Sequence, residues 1–544
     1  MNNQPGQENP HRHEPEAGQD FQRELVEGLL NPRCYPHPPK KVRLIETHIS
    51  WVLLAGRYAY KIKKSLDLGF LDYRSLASRR HYCEEEVRLN RRLAPQIYLD
   101  TVPIGGGSSQ TPAPGLLPAL EYAVLMRRFP LSRQLDKLAA QNRLAPQQID
   151  NLAMVLARFH ASLPPDTSAS GFGSAGLVQS AMSQALDHLE TLLADSAEEA
   201  GIARLRHASD TEYAHCKDHI ERRQAQGFVR ECHGDLHLGN IVLLDGQPVP
   251  FDGIEFDPAL RWIDVASEIA FPVMDLMHYQ RPDLAFRFLN AYLEETGDYG
   301  GASLLPFYTA YRATVRAMVS ATRGTQPGLA RRTRKKMCMD CLNLIALAER
   351  CLNRRQPALI ITHGLPGSGK TTFSQAALER LQAIRIRSDV ERKRLHGLSP
   401  MARSDPLADN LYSADVTQRT FAHLHGLARG LLDGGIPVIV DAAFLRRDER
   451  ELFQRLAHER RIPFVIASMK TSIGTMRERI AQRQTRSDDA SEADLTVLEL
   501  LRNKQEKLSS QERACTIEFD NEDDVRACCS IRAWESLNRR LAAS

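Results

Sequence analysis

"GLPGSGKTT" (residues 364–372) fits Gly-x-x-x-x-Gly-Lys-[Ser/Thr] in full, with Gly364, Gly369, Lys370 and Thr371 at the fixed positions. Glycines let consecutive backbone N–H groups curl around phosphate oxygens. The positive end of the following helix adds to that field, and the lysine reaches the β and γ oxygens. Such a loop belongs between a strand and a helix. Here the apolar run "ALIITH" precedes it and a helix-compatible segment follows. Gly364, Pro366, Gly367, Ser368, Gly369, Lys370, Thr371 and Thr372 are therefore expected to cradle a nucleotide, with the Thr371 hydroxyl on Mg²⁺.

A loop of this kind normally sits close behind the first strand of its domain, yet residues 1–363 come before it. The 544-residue chain is long enough for several compact units. From Pro357 on, "ALIITHG", "AIRIRS", "IPVIVD" and "PFVIAS" read as buried strands alternating with helices. That pattern predicts a parallel sheet covered on both faces, an α/β domain over 357–544. Asp441 closes "VIVD" and is expected behind the magnesium. Asp389 and Arg392, just past the second strand, are candidates to orient an acceptor hydroxyl and to bind an acceptor anion. Asp389 could equally be a helix cap. Arg479 and Arg483 lie four apart in "TMRERIAQRQTR", as lid arginines over the transferring phosphate or as a solvated basic face. No Asp-Glu pair follows the strand, which argues against an AAA-type mechanical ATPase.

The front half has its own constellation. In "CHGDLHLGNIVLLDGQPVPFDGIEF" (232–256), Asp245-Gly246 is a strong hairpin turn signal between "IVLL" and "PVPF". Gly246 lies midway between Asn240 and Asp252, so pairing the hairpin brings those two side chains together at its open end. Oxygen ligands meeting beside Asp235 suit a hard cation such as Mg²⁺ better than a His233–Asp235–His237 site. Pro248 and Pro250 predict a small, exposed-edge hairpin. A His-x-Asp-x-x-x-x-Asn loop with a second aspartate past a hairpin is the kinase arrangement: Asp235 takes or orients the acceptor's proton, and Asn240 and Asp252 hold the metal.

On the residues "HGDLHLGN" and "DPALRWIDVASE" the chain resembles the aminoglycoside phosphotransferase family, which implies a protein-kinase-like α+β fold. The resemblance implies that Asp264 braces the catalytic loop and that His233 supports it. It also implies a strand lysine on the phosphates and a helix glutamate paired with it. Lys61 shares a strand face with Ala59 in "YAYKIKK", and Glu86 stands seven residues before Leu93, so these two are chosen over Lys63 and over Glu84 or Glu85. "EYAVLM" is then the hinge strand. "ETHIS" replaces a glycine-rich phosphate loop, and "GIEF" replaces the Phe-Gly that would follow the metal aspartate. The glycine-loop domain resembles the P-loop kinases related to gluconate kinase, zeta toxin and polynucleotide kinase.

Composition narrows the classes. A net charge of +4 over 544 residues gives no basic footprint for nucleic acid. No apolar run approaches the roughly 18 residues that cross a bilayer, and the polar start has no signal-peptide core. Ten scattered cysteines fit a reducing cytoplasm, and "CMDC" (338–341) has one metal-ligand spacing without a second pair. The expected organisation is a disordered tail (1–22), a phosphotransferase-like domain (23–330), a basic helical connector (331–356) and the P-loop domain. The module order resembles bifunctional aminoglycoside phosphotransferase/ATP-binding proteins. It implies a Mg²⁺-ATP-dependent transferase acting on hydroxyl-bearing small molecules. One active kinase with a nucleotide-sensing partner domain, or a nucleic-acid or nucleotide-sugar kinase, are the alternatives.

Overall fold

The computed structural model describes residues 15–69, 71–106, 111–166, 170–194, 199–326, 328–353, 356–400, 402, 413–486, 494–522 and 531–542. The chain divides into two compact units. One comprises Met1–Gln141, Leu163–Thr167 and Val229–Ile263, the other Asn142–Ser162, Ser168–Phe228 and Asp264–Ser544.

The first unit is built on a six-stranded antiparallel sheet of order β1-β2-β3-β6-β4-β5. Its strands are β1 (Val42–Glu46), β2 (Ser50–Ala55), β3 (Tyr58–Lys63), β4 (Tyr98–Gly105), β5 (Ala113–Pro114) and β6 (Ala119–Arg127). Gly56, at φ +62, makes the tight turn from β2 into β3. Helix α1 (Pro15–Gly28) begins inside the segment expected to be a tail, and residues 1–14 lie outside the described residues. Its Leu25 and Val26, with Leu29, pack against Trp51, Leu53, Tyr60 and Ile62. Gln22 donates to the Lys63 carbonyl (3.1 Å) and to Glu121 (2.6 Å), and accepts from the Ser65 N–H (2.7 Å). That apolar stripe and satisfied amide explain why the chain is ordered there.

Helix α2 (Leu76–Asn90) starts where the Ser75 hydroxyl accepts from the Ser78 N–H. It lays Cys83 and Val87 on Val124 of β6 and on Val242 and Val249 of a hairpin, β7 (Ile241–Leu244) and β8 (Gln247–Pro250). The hairpin turns on Asp245 (φ +50) and Gly246 (φ +79). It differs from the exposed-edge expectation in one respect: Pro248 and Pro250 are buried. Val242 of the first strand bridges Gln134 on its outer side. Among the described residues, the strand that carries the prolines pairs with the first strand alone, and its other edge tolerates proline while the side chains pack inward.

The second unit joins a helical layer to a parallel sheet. The helices are Pro146–Ser162, Ala175–Leu192, Glu199–Ala225, Val265–His278, α3 (Pro282–Thr296), Leu305–Gly324 and Arg331–Leu352. The last of these covers the segment expected to be a basic connector, and it lies within the second compact unit. Its first two turns are exposed, while Cys341, Leu344, Ile345, Leu347 and Ala348 are buried; Cys338 is exposed.

The sheet runs β10-β11-β9-β12-β13, all parallel, with β9 (Leu359–His363), β10 (Ile384–Arg387), β11 (Val438–Asp441), β12 (Phe464–Lys470) and β13 (Thr516–Asp520). The connecting helices include α4 (Lys370–Leu381), α5 (Ser388–Leu395), α6 (Ala414–Asp433), α7 (Arg447–Arg460), α8 (Ile473–Arg486), α9 (Leu495–Lys504) and α10 (Ile531–Ala542). Strand β13 was not legible in the sequence. Its Phe519 packs with Phe373 of α4 and Trp534 of α10, which closes the core on that side.

One open edge of the sheet, β10, is covered by α3. The Asn290 amide donates to the Ala383 carbonyl (3.0 Å) and accepts from the Arg385 N–H (2.6 Å), taking the place of a neighbouring strand. No described helix is long and apolar enough to cross a membrane.

Candidate active sites

In the first unit, β3 and α2 present Lys61 and Glu86 to each other at 2.9 Å, and Lys61 also meets Asp252 Oδ1 at 2.6 Å. Glu84 and Glu85 instead pair with Arg80 and Arg88 on the same helix. Lys63, which the strand-face argument passes over, is completely buried and shares Glu86, at 2.7 Å from Oε2. Its second partner is Glu255, which also accepts from the Tyr73 hydroxyl (2.7 Å). Glu255 sits in "GIEF", where the sequence departs from Phe-Gly. That departure marks the position, but nothing local names Lys63 as its partner. Burial opposes charge on both lysines, but the surrounding carboxylates outweigh it and raise both well above the ordinary lysine value: Asp252 first for Lys61, Glu255 first for Lys63. Burial would likewise raise Glu86, but Lys61 and Lys63 hold it below the ordinary carboxylate value.

Asp252 adopts φ +65, an uncommon backbone for a residue other than glycine. Its N–H donates to the Tyr98 hydroxyl (3.0 Å), and the next N–H, of Gly253, to Asn90 (2.8 Å). These bonds fix the conformation and aim the carboxylate. The Asn240 amide donates to the Asp235 carbonyl (3.0 Å) and carboxylate (3.1 Å), joining two of the expected residues directly. His233 Nδ1 accepts from the Asp235 N–H (3.3 Å) while Nε2 donates to the Phe251 carbonyl (2.9 Å), so its ring ties the loop to the segment leading into Asp252. His237 had no sequence-derived role. Its Nδ1 accepts from the Gly239 N–H (3.0 Å), which turns Nε2 toward Asp235 Oδ2 at 3.5 Å. Gly234 stands at φ +87, and a Cβ there would meet the Leu260 carbonyl at 2.8 Å. Asp264 caps the helix Val265–His278 and forms a two-pronged ion pair with Arg223, which also holds Asp298.

In the second unit the glycine loop runs from β9 into α4. Gly364, Gly367 and Gly369 have φ of +150, +79 and +91, and a Cβ on Gly369 would lie 1.7 Å from Asn521 Nδ2. Asn521 is buried and donates to the Ser368 carbonyl (2.7 Å), a support that sequence reasoning missed. The Lys370 ammonium donates to the Leu365 carbonyl (2.9 Å), across its own loop. One turn into α4, the Ser374 hydroxyl lies 2.8 Å from Asp441 Oδ2 at the end of β11. Arg392 and Asp389 pair at 3.4 Å on α5, and Arg479 of α8 donates to the Asn521 carbonyl (2.8 Å). The Arg483 side chain lies outside the described residues.

A cavity of about 760 Å³ brings together Pro366, Gly367, Gly369, Lys370, Thr371, Thr372, Asp389, Arg392, Asp441 and Arg479. Phe421, Leu445, Leu452 and Leu500 form its apolar wall. A larger groove of about 1130 Å³, lined by His363, Ser468 and Glu518, flanks Gly364 but holds none of the lysine, threonine or aspartates named above. Of the two, the smaller cavity is the one that gathers the residues expected to act at this loop. The donor sets fit the expected groups: oxygen ligands for a hard cation at Asn240 and Asp252, and a glycine cradle with a lysine for phosphates at 364–370.

Residues 72–305 match the model of the phosphotransferase enzyme family, and residues 359–508 match a model described as an AAA domain. The second match is to the nucleotide-binding fold; the strand end reads Asp441-Ala442-Ala443, without a second acid. Among solved structures, the chain is similar to an amicoumacin kinase bound to AMP-PNP, Ca²⁺ and Ami (13% identity, 61% of this chain, 95% of that one, TM-score 0.39). It is also similar to a gluconokinase of Sinorhizobium meliloti 1021 (19% identity, 34% of this chain, 98% of that one, TM-score 0.24). An uncharacterized protein of Mycobacterium tuberculosis is 30% identical over 462 residues, covering 84% of this chain and 90% of the relative. An uncharacterized protein of Mycobacterium bovis matches to the same extent. This chain therefore belongs to the family of these mycobacterial proteins, as a member that joins a kinase-like phosphotransferase domain to a P-loop kinase-like domain.

Proposed function

We propose that the chain is a Mg²⁺- and ATP-dependent kinase with two separate transfer sites, each moving the γ-phosphoryl group of ATP to a hydroxyl of a small-molecule acceptor. Residues 23–330 and 357–544 are taken as the two catalytic modules, joined through 331–356. The observation that carries the proposal is Lys61, 2.9 Å from Glu86 and 2.6 Å from Asp252. In a kinase the strand lysine, held by a helix glutamate, orients the nucleotide phosphates beside the aspartate that takes the metal.

At the first site, Asp235 accepts the acceptor's proton as its oxygen bonds to the γ-phosphorus. The bond from that phosphorus to the bridging oxygen breaks, and ADP departs with the electron pair. Lys61 steadies the phosphates, and Asn240 and Asp252 hold the metal. Bound there, Mg²⁺ supplies neutralisation of the phosphate charge. At the second site Lys370 takes the β and γ oxygens, Thr371 and Asp441 serve the metal, and Asp389 orients the acceptor. Arg392, Arg479 and Arg483 balance anionic charge, and their number favours an acceptor that is itself an anion.

A phosphate-transfer screen of the whole protein beside Asp235→Ala and Lys370→Ala tests the proposal. Two kinases predict that each variant loses a different product. Loss of no product in the Asp235→Ala variant would make the front half a scaffold. A second reading, one transferase beside a nucleotide-sensing domain, draws support from the contacts between α3 and the P-loop sheet. It predicts that Lys370→Ala changes the rate of the first product and removes none. A steep salt dependence of oligonucleotide binding would favour a nucleic-acid acceptor.

A further inference from the structure

Arg385 is an unusual residue for its place: a guanidinium, 5% exposed, on the edge strand of a parallel sheet. A buried arginine is tolerated only when its donors are taken up. Its Nε and one terminal nitrogen both reach Glu294 Oε1, at 2.8 and 2.6 Å, and its N–H is bonded to Asn290. Glu294 and Asn290 both lie on α3, within the residues that match the phosphotransferase family. The remaining terminal nitrogen of Arg385 donates to the Ser374 hydroxyl (3.3 Å).

Ser374 has one proton and two acceptors in reach, the Thr371 carbonyl at 3.0 Å and Asp441 Oδ2 at 2.8 Å. Arg385 occupies a lone pair of the oxygen and polarises the O–H, which strengthens the bond to the carboxylate. We infer that Glu294 and Arg385 are positioning residues for Asp441: the phosphotransferase-family half supplies, through α3, the outer support of the metal site in the P-loop half. The inference rests on reading that site as a Mg²⁺-nucleotide site. Partners one step behind a metal ligand change metal affinity by about 10- to 100-fold when removed, because they set the ligand's orientation and basicity. Glu294 acts from further back, through Arg385 and Ser374, so the lower end of that range is the ceiling for it.

The test uses the full chain carrying Asp252→Ala, so that only the P-loop site binds metal and nucleotide together. ATP is titrated calorimetrically with MgCl₂ and again with EDTA, and each variant is melted. Glu294→Ala is expected to cut the gain in affinity that magnesium gives by about 10-fold while leaving the EDTA affinity in place. It should also lower the melting midpoint, because buried Arg385 loses its carboxylate, so binding is titrated well below that midpoint. Arg385→Lys, which keeps the charge and loses the fork, should behave likewise. Glu294→Gln, which keeps an acceptor for Arg385, should recover most of the gain. An unchanged magnesium gain in Glu294→Ala and Arg385→Lys, beside loss of binding in Lys370→Ala, overturns the inference. If Lys370→Ala itself leaves binding intact, the nucleotide-site reading falls and the inference falls with it.

Discussion

Lys61 and Lys370 are proposed for the same task, and the chain holds them in opposite ways. Lys61 is gripped by Glu86 and Asp252, residues 25 and 191 positions away, beside a second buried pair of Lys63 and Glu255. Lys370 bonds a carbonyl only five positions away in its own loop. The first site exists only once the sheet, α2 and the hairpin have assembled around it. The second is largely written into one turn of chain. Removing Glu86, the buried carboxylate that Lys61 shares with Lys63, should therefore unfold the protein as well as silence it, whereas removing the half-exposed Asp252 or the second lysine should silence without unfolding.

The largest effect expected is Glu86→Ala, which leaves two buried lysines short of a carboxylate and should cost about 3–5 kcal/mol in denaturant unfolding. A cost near zero would mean that Lys61 and Lys63 relax to water and that the grip is illusory.

Acid should separate the halves next. Burial, followed by the charges of Arg450 and Lys370, holds His363 at about 4. Below the unfolded value of 6.5 the unfolded chain takes up a proton that the native chain refuses, so stability falls as pH drops from 6.5 to about 4. The total is about 3 kcal/mol, and His363→Asn should flatten that slope. Glu86 is lowered from 4.5, so the stability its ion pairs contribute is present above that pH and is lost only below it. The P-loop half should accordingly soften first, in a pH series followed by proteolysis.

Gly369→Ala should cost roughly 2 kcal/mol from its left-handed backbone and the displaced Asn521, and should abolish nucleotide binding there. Smallest in stability is Lys370→Ala, at under about 1 kcal/mol, with loss of nucleotide at that site measured by calorimetry. A large unfolding effect from Lys370→Ala would erase the contrast between the two lysines.

The same contrast explains what could be read from the sequence. The glycine loop, the first four strands of the parallel sheet, the β2–β3 pair and the Asp-Gly hairpin were legible, because each is encoded by neighbours in the chain. The spacing of Asp235 and Asn240 does bring those two together, but the hairpin register sets Asn240 opposite Phe251, one residue short of the Asp252 that the midpoint at Gly246 predicts. Lys63–Glu255, Asn521 beneath the glycine loop and Asn290 on the sheet edge were not legible. Each is a polar residue whose partner is set by tertiary packing, and nothing in local periodicity distinguishes a paired buried lysine from a solvated one. Strand β13, five residues with the exposed acids Glu518 and Asp520, lacks the continuous apolar run that marked the four strands before it.

The amide of Asn290 has a practical consequence for anyone cutting this gene. A fragment begun at Pro357, where the texture of the sequence changes, would leave the backbone groups of Ala383 and Arg385 facing water along an unprotected strand. Such a strand recruits its own copies. The smallest soluble piece of the second half should begin upstream of Pro282 and carry α3 with it.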